Sequence, residues 1–351
     1  MDSQIVNSYS NYDLETLKQI SYDIGIRKEL IQGAGGNTSY KIGNTLWIKA
    51  SGTRLENAQK DSIFIPLKLQ EVIRSIELEI DNNKNYKPLI NTKLRASIET
   101  GFHAILPYKY VLHTHPIDVI SQSIVNNAKE SIGKALKGID WTWISYEKPG
   151  YKLARSIYLN NKKFANAVYI LENHGLIICA NNGDEALKLQ EEVINRLRLK
   201  PREKSKPDID TLIKICHQFK SIGIDAFLPA DIVTHSLPID KISRDLLKKN
   251  PLYPDHLVFC GFRPLIVNKN DIHKFTKAEY LKYNYCIIEE IGVILFRNPS
   301  SSSAEIMLQT QSLIHLRIPI NKSIKALNDF ECSELINWEA ESYRIKLNKK
   351  G

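Results

Sequence analysis

The chain has 351 residues, of which 43% are hydrophobic and 25% charged, and its formal net charge at pH 7 is +9. This length suffices for two domains or one large one, and the apolar content is ordinary for a globular protein. The positive charge favours an anionic partner, but lysine and arginine are spread along the chain without the aromatic-interleaved basic stripe that a single-strand binder needs. We therefore expect a solvated basic surface and no nucleic-acid partner.

No stretch of the sequence approaches the length of a membrane span, and the N-terminus lacks a basic region followed by an apolar one. We expect a cytoplasmic protein with no membrane partner. The five cysteines are scattered, odd in number and in no CxxC arrangement. This usage predicts reduced, buried thiols rather than a disulfide framework or a metal cluster.

Alternating helix and strand patterns fill the first 200 residues. Apolar spacing predicts an amphipathic helix over 13–30 with Asp13 as its N-cap. After a glycine-rich turn at 33–39, a hairpin closed by Gly43-Asn44 is predicted from the strands 40–42 and 46–49. The remaining predicted elements are helices over 67–80 and 93–106, a strand over 110–115, a helix over 117–126, a strand over 168–179 and a helix over 184–198. This alternation predicts a layered α/β domain.

Two histidines stand at the end of the predicted strand 110–115, which runs Tyr-Val-Leu-His-Thr-His and precedes Pro116. Side chains at i and i+2 of a strand share a face, so His113 and His115 are expected to emerge side by side. A third histidine, His174, interrupts the apolar run 170–178. Each histidine alone is consistent with a satisfied polar residue at a strand end, but three of them with an open fourth position are typical of a catalytic zinc.

The predicted helix 93–106 carries Glu99 and His103 four residues apart, on one helical face. Glu99 lies at the edge of the apolar stripe of that helix and shortly before the histidine strand. A carboxylate there is a candidate fourth metal ligand or general base, and a purely structural role is the alternative.

Two small turns, Gly35-Gly-Asn37 and Ser51-Gly52, offer backbone N–H groups and short polar side chains. Such turns can form anion-binding nests, although a turn of this kind, taken singly, is more often a simple tight turn. Neither matches a phosphate-binding loop or a dinucleotide fingerprint.

Beyond a proline-rich, charged stretch at 200–208, which we interpret as an interdomain linker, the chain repeats part of itself. Residues 287–295 parallel 170–178, with Ile291 where the first copy has His174. The stretch 256–261 is our candidate for the counterpart of the histidine strand, and it has no HxH. The sequence therefore predicts a second unit, over 209–351, that keeps the scaffold without the metal.

Taken together, the ordered set of motifs resembles the class II aldolase/adducin family. The matching pieces are Gly36-Asn37-Thr-Ser39, Ser51-Gly52, Ser97-x-Glu99-x-x-x-His103, His113-Thr-His115-Pro116 and Asn173-His174-Gly175, which span roughly residues 14–198. Within that family, the stretches 46–52, 97–100 and 253–256 are most similar to the aldolase portion of bifunctional rhamnulose-1-phosphate aldolase/alcohol dehydrogenases. Because no dehydrogenase domain follows, only the aldolase half is expected here.

The resemblance implies a fold and a set of roles. It implies a three-layer α/β/α aldolase-like catalytic domain over 1–200, followed by a smaller, degenerate α/β repeat. His113, His115 and His174 would bind Zn²⁺, and Glu99 would be the acid/base residue. The residues that would hold a substrate phosphate are Asn37, Ser51, Gly52 and Ser97.

One position departs from the family pattern. Aldolases of the fuculose type have two adjacent serines before the glutamate, whereas Ile98 takes the second place here. This removes one phosphate donor but agrees with the rhamnulose-like subgroup. The catalytic tyrosine of the family cannot be located by motif, and we expect a homo-oligomer because relatives assemble as tetramers with active sites at subunit borders.

The implied reaction is reversible aldol cleavage of a small sugar, a ketose 1-phosphate, to dihydroxyacetone phosphate and an aldehyde. A pentulose-phosphate 4-epimerase is the main alternative, although those relatives carry an aspartate where Glu99 stands. A decarboxylase or dehydratase acting on a related sugar acid is another. An adducin-like scaffold that binds other proteins is the non-enzymatic alternative, and such members lack the metal histidines.

Overall fold

The computed structural model describes residues 10–81, 86–160, 164–203 and 206–336. The chain divides into two compact units, the first formed by Met1–Val119 with Asn127–Arg198 and the second by Ile120–Asn126 with Leu199–Gly351. In the described part of the chain, no helix combines the length and the apolar character that crossing a membrane requires. All five cysteines are free, and only Cys216 is partly exposed.

The first unit is built from seven strands with helices between them. Its strands are β1 (Asn37–Ile42), β2 (Thr45–Lys49), β3 (Phe64–Lys68), β4 (Tyr110–Thr114), β5 (Trp141–Ile144), β6 (Ala167–Leu171) and β7 (Gly175–Ala180). Its helices are α1 (Ser10–Gly25), α2 (Leu69–Glu77), α3 (Thr100–Ile105), α4 (Ile117–Ser123, which ends in the second unit), α5 (Ala128–Ala135), α6 (Tyr151–Asn160) and α7 (Gly183–Arg196).

These strands form one sheet in the order β3-β2-β1-β4-β7-β6-β5, in which only β5 and β6 are parallel. Alternate residues along β4 pack on opposite faces, since Leu112 joins the core cluster beneath α1, α5 and α7 while Val111 joins the one beneath α3 and α6. Helices therefore cover both faces, and the predicted three-layer α/β/α architecture is confirmed.

Several predicted boundaries are wrong. The helix predicted over 93–106 is helical only in α3, because Ala96 pairs with Ala50 as a β-bridge and Glu99 sits at the N-cap position. The first helix ends at Gly25, and Asp13 lies inside it, where its carboxylate accepts a hydrogen bond from the Tyr40 hydroxyl at 2.6 Å instead of capping the helix. The helix predicted from residue 67 begins at residue 69, because the residues before it pair with β2 as β3.

The predicted strand 168–179 is a hairpin of two strands, β6 and β7. Leu171 pairs with Gly175, and the turn between them contains Asn173 with a φ of 54°. The hairpin predicted at 40–49 is confirmed as β1 and β2, with Ile42 paired to Thr45.

The second unit contains a four-stranded sheet. Its elements are α8 (Ile209–Ser221), β8 (Ala226–Phe227), α9 (Ser236–Ile239), α10 (Lys241–Leu247), α11 (Pro254–Cys260), β9 (Leu265–Val267), α12 (Lys277–Tyr280), β10 (Tyr285–Ile288), β11 (Gly292–Phe296), α13 (Ser301–His315) and α14 (Asp329–Ile336). The strand order is β8-β11-β10-β9, with β9 and β10 parallel and the other pairs antiparallel.

The degenerate repeat is visible in this topology. The order β8-β11-β10-β9 reproduces β4-β7-β6-β5, including the single parallel pair at one edge. Ile288 pairs with Gly292 across a turn as long as the one between Leu171 and Gly175, and Glu290 has a φ of 61°, close to the value of Asn173. A smaller second sheet with the same local topology follows the first, as predicted.

The predicted counterpart of the histidine strand is wrong, because residues 254–260 form helix α11. The strand bonded to β11 is β8, where Phe227 pairs with Leu295 as Leu112 pairs with Ile178 in the first unit. Counting onward from this pair, Leu228 and Ala230 take the places of His113 and His115. The second sheet therefore has apolar residues at all three histidine positions, Ile291 being the third.

The stretch interpreted as a linker contains no helix or strand among its described residues, 200–203 and 206–208. Its Arg202 donates two hydrogen bonds to the Asp240 carboxylate, at 2.7 and 3.2 Å, and one to the His315 carbonyl oxygen at 2.9 Å. Both partners belong to the second unit, so this part of the stretch is fixed to that unit.

Candidate metal centre

Three histidine side chains meet at the end of β4. His113 is the fourth residue of the strand, His115 directly follows it, and His174 comes from the turn between β6 and β7. All three are buried, and their candidate ligand nitrogens lie within 4.8 Å of one another. Among the described residues this is the one group of histidine, cysteine and acidic side chains close enough to hold a metal ion.

The conformation of the turn that carries His174 depends on the residues on either side of that histidine. Asn173 adopts a left-handed conformation, which asparagine tolerates better than most residues. At Gly175, a Cβ atom would lie 2.4 Å from the Thr114 carbonyl oxygen and 3.1 Å from the His115 ring. Glycine therefore allows the β6–β7 turn to approach β4 closely enough for its histidine to reach the other two.

The His113 ring is oriented by the backbone of β7. Its Nδ1 lies 3.0 Å from the Leu176 carbonyl oxygen, which can only accept, so Nδ1 carries the hydrogen. When this ring is neutral its lone pair is on Nε2, which lies 3.0 Å from Nε2 of His115. Two nitrogens on one tetrahedral zinc stand roughly 3.3 Å apart, and a histidine ligand usually donates its other N–H in this way. The pair fits a metal ion.

Glu99 completes the group. Its Oε2 lies 3.4 Å from His113 Nε2, and its Oε1 lies 3.5 Å from His174 Nε2. Burial raises the pKa of this carboxyl. The nearby His113, His174 and His115 and the hydrogen bond from Asn37 lower the pKa by more than burial raises it, so the net pKa is below its ordinary value. Among the described residues Oε1 has no hydrogen-bond partner, although it is buried. An ionised, buried carboxylate facing three imidazoles is a donor set suited to a divalent cation.

The residues expected to hold phosphate are not equally placed. Asn37 donates through Nδ2 to Glu99 Oε2 at 2.7 Å and to Ser97 Oγ at 3.3 Å, so both amide and hydroxyl lie beside the carboxylate. The backbone N–H of Ser51 donates to the carbonyl oxygen of Arg95 at 2.9 Å. That N–H is therefore not part of an open anion nest, while Gly52 adopts a φ of 78° in the same turn.

A buried lysine, to which no sequence motif pointed, holds the two glycine-bearing turns together. Lys49 is only 2% exposed, and its ammonium donates to the carbonyl oxygens of Ala34 at 2.9 Å and Thr53 at 2.6 Å. One carbonyl belongs to each turn. A lysine at an inward-facing position of a predicted strand was the available sign of a buried ammonium. Its partners could not be predicted, because they are distant in the sequence.

His103 also has partners that spacing did not predict. Its Nδ1 lies 2.7 Å from Ser39 Oγ, and its Nε2 forms a short contact with Asn37 Oδ1. The histidine thus faces β1, and Asn37 connects it to Glu99.

Comparison with known proteins gives relatives of several kinds. A curated relative from Bacillus subtilis (strain 168), the "Uncharacterized oxidoreductase YuxG", is 27% identical over 305 residues, which are 75% of this chain and 44% of the relative. The chain thus spans less than half of that protein. A solved class II aldolase domain from Thermoplasma acidophilum is 24% identical, with a TM-score of 0.47, over 56% of this chain and 97% of that one. A sugar-phosphate aldolase from Thermotoga maritima is 16% identical, with a TM-score of 0.42, over 60% and 96%.

Comparison with protein families matches residues 16–200 to the Class II Aldolase and Adducin N-terminal domain. This match covers more than half of the chain and contains every strand of the seven-stranded sheet and all three clustered histidines. The chain therefore belongs to the class II aldolase and adducin family.

Proposed function

We propose that this protein is a zinc-dependent class II aldolase that reversibly cleaves a ketose 1-phosphate into dihydroxyacetone phosphate and an aldehyde. The observation that carries the proposal is the Glu99 carboxylate, held 3.4 and 3.5 Å from two of three clustered, buried imidazoles. Three imidazoles with a carboxylate beside them are a donor set suited to a divalent cation, and a scaffold protein has no need for one.

His113, His115 and His174 would hold the Zn²⁺, which when bound supplies Lewis-acid polarisation of the ketose carbonyl and an adjacent hydroxyl. Glu99 moves the proton at the carbon where the bond is made or broken. In the cleavage direction the C4 hydroxyl loses its proton as the C3–C4 bond breaks, and the Glu99 carboxylate takes up that proton and delivers one to C3. In the condensation direction Glu99 removes a proton from C3 and the aldehyde oxygen takes one up as it becomes the C4 hydroxyl. Its lowered pKa keeps it ionised, as the condensation direction requires.

The phosphate is proposed to bind beside Asn37, Ser51, Gly52 and Ser97. Ser97 Oγ accepts hydrogen bonds from Asn37 Nδ2 and from the Glu99 backbone N–H, at 3.3 and 3.2 Å. Its own hydroxyl hydrogen is then left to donate to a substrate oxygen. Ile98 supplies no donor, which favours the rhamnulose-like subgroup over the fuculose type.

The wider organisation is part of the proposal. Residues 1–200 would form the catalytic domain, and residues 209–351 a second aldolase-like domain whose sheet lacks the histidines. The match to less than half of a longer protein named an oxidoreductase supports an aldolase portion of the rhamnulose aldolase/dehydrogenase type. We propose a cytoplasmic homo-oligomer that takes a small sugar substrate.

The deciding experiment incubates zinc-loaded protein with dihydroxyacetone phosphate and a panel of aldehydes, and detects new carbon–carbon bonds by mass spectrometry. Inversion at C4 of a pentulose phosphate, with no free aldehyde released, would instead favour the epimerase alternative. Loss of carbon dioxide from a sugar acid would favour the decarboxylase. Absence of stoichiometric zinc from the purified protein would favour the adducin-like scaffold.

Two substitutions separate chemistry from metal binding. Glu99→Gln should keep the zinc and lower turnover by about 10²–10⁴, because the carboxylate no longer transfers the proton. His113→Ala should lose both zinc and turnover, whereas His273→Ala, at an exposed histidine of the second unit, should lose neither. Full activity in the glutamine variant would remove Glu99 from the mechanism.

A further inference from the structure

A line of hydrogen bonds runs from β1 through α3 to the candidate metal centre. Asn37 and Ser39 are two residues apart on β1 and so point to the same face. Both contact the His103 ring, Ser39 Oγ at 2.7 Å from Nδ1 and Asn37 Oδ1 at Nε2. His103 is fully buried, and it lies outside the set of three clustered histidines.

The direction of each hydrogen bond follows from the Glu99 carboxylate. A carboxylate oxygen can only accept, so the Asn37 group 2.7 Å from Oε2 is its amide nitrogen. The amide oxygen must then face His103, and Nε2 of that ring must carry a hydrogen. Burial, followed by the nearby charges of Lys41 and His113, lowers the pKa of His103 well below its ordinary value. The ring is therefore neutral, and its Nδ1 accepts from the Ser39 hydroxyl.

We propose that His103 is a positioning residue that locks the orientation of the Asn37 amide. Without a donor at Nε2, the amide is free to rotate and place its oxygen against the Glu99 carboxylate, which is repulsive. With the donor, Asn37 presents N–H to Glu99 and keeps the carboxylate aimed at the three imidazoles. The effect on turnover rests on the proposed function, whereas the effect on the Asn37 amide does not.

Two conservative variants separate the two contacts of the ring. The amide nitrogen of His103→Gln can reach the place of Nε2 and still donate to Asn37. The shorter side chain of His103→Asn places its amide near Nδ1, where it meets Ser39 and not Asn37. We expect kcat to fall by about 10–100-fold in the asparagine variant and to stay within a few-fold of wild type in the glutamine variant, with zinc content unchanged in both.

A second measurement reads the amide directly. In metal-free protein labelled with ¹⁵N-asparagine, the side-chain signal of Asn37 is assigned by its loss in Asn37→Ser. The side-chain amide hydrogens of Asn37 should exchange slowly with water in wild type and in His103→Gln, because Nδ2 is hydrogen-bonded to Glu99 and Ser97. In His103→Asn the exchange should be at least tenfold faster.

The outcomes are distinct for the two proposals. Equal amide exchange in the glutamine and asparagine variants, or an equal fall in kcat in both, would overturn the positioning role and leave His103 as packing. If wild-type protein joins or cleaves no carbon–carbon bond with any aldehyde, the proposed aldolase function fails. The amide exchange then still decides whether His103 orients Asn37.

Discussion

The glycine that follows His174 gives the sharpest structural prediction. A Cβ atom added at Gly175 would lie 2.4 Å from the Thr114 carbonyl oxygen, a backbone atom fixed in the β4–β7 ladder. Because this distance is far below a van der Waals contact, Gly175→Ala must move β7 away from β4 or shift the turn. Forcing an extra methyl into a packed position costs about 1–3 kcal/mol.

The expected result is a lower stability and a weaker metal site. For a unit of this size each kcal/mol lowers Tm by about 2–4 °C. The added methyl also lies 3.1 Å from the His115 ring, so the shift is expected to spread the three histidines and lower zinc affinity as well. Differential scanning calorimetry gives the change in Tm, and competition with a chromogenic chelator gives the zinc affinity.

A matched control is Gly133→Ala, in helix α5 of the same unit. There the nearest neighbour of the new methyl is the far end of the Trp141 side chain, at 3.0 Å, which can give way. Alanine also has a helix propensity about 1 kcal/mol better than that of glycine. We expect Gly133→Ala to be neutral or slightly stabilising, with full zinc affinity. Unchanged Tm and zinc affinity in Gly175→Ala would refute the packing argument.

Further predictions concern buried charges and the metal. Burial lowers the pKa of Lys41 from 10.5 to about 7. Between these pH values the unfolded chain binds a proton that the folded protein lacks, so the free energy of unfolding rises with pH. Lys41→Met should flatten that rise in urea titrations at about pH 7 to 10. Arg202→Ala breaks the ion pair with Asp240, and breaking a buried pair typically costs about 3–5 kcal/mol. Because the two side chains keep 20% and 15% exposure, we expect the second unit to lose stability near the lower end of that range. Lys248→Ala, at an exposed pair, should cost no more than about 1 kcal/mol in the same urea titration. Removing bound zinc with a chelator should lower the Tm of wild type and leave that of His113→Ala unchanged, since a ligand that binds only the folded state stabilises it.

Local patterns in the sequence were enough for the features that depend on nearby residues. The period of a strand placed His113 and His115 on one face, and the Gly43-Asn44 turn identified the β1–β2 hairpin. The alternation of helices and strands gave the layered α/β class. The parallel between 170–178 and 287–295 revealed the repeat, which the matching turns and strand order of the two sheets now support.

Where the sequence failed, the deciding contact was distant along the chain. Helix spacing suggested that 93–106 is one helix, but pairing of Ala96 with Ala50 keeps the first half extended and places Glu99 ahead of α3. Residues 256–261 have a strand-like composition, yet 256–260 belong to helix α11, while β8, the real counterpart of β4, has only two residues and no detectable pattern.

The sequence by itself determined the fold class, through the periodicity of its helices and strands. The resemblance of its ordered motifs gave the family and the identities of the residues that meet at the candidate metal centre. Only the tertiary structure decided how those residues are held: the β6–β7 turn against β4, the Lys49 ammonium between two turns, and the His103 ring between Ser39 and Asn37. Side chains this deeply buried must find hydrogen-bond partners, and the sheet brings those partners from strands and helices far apart in the chain.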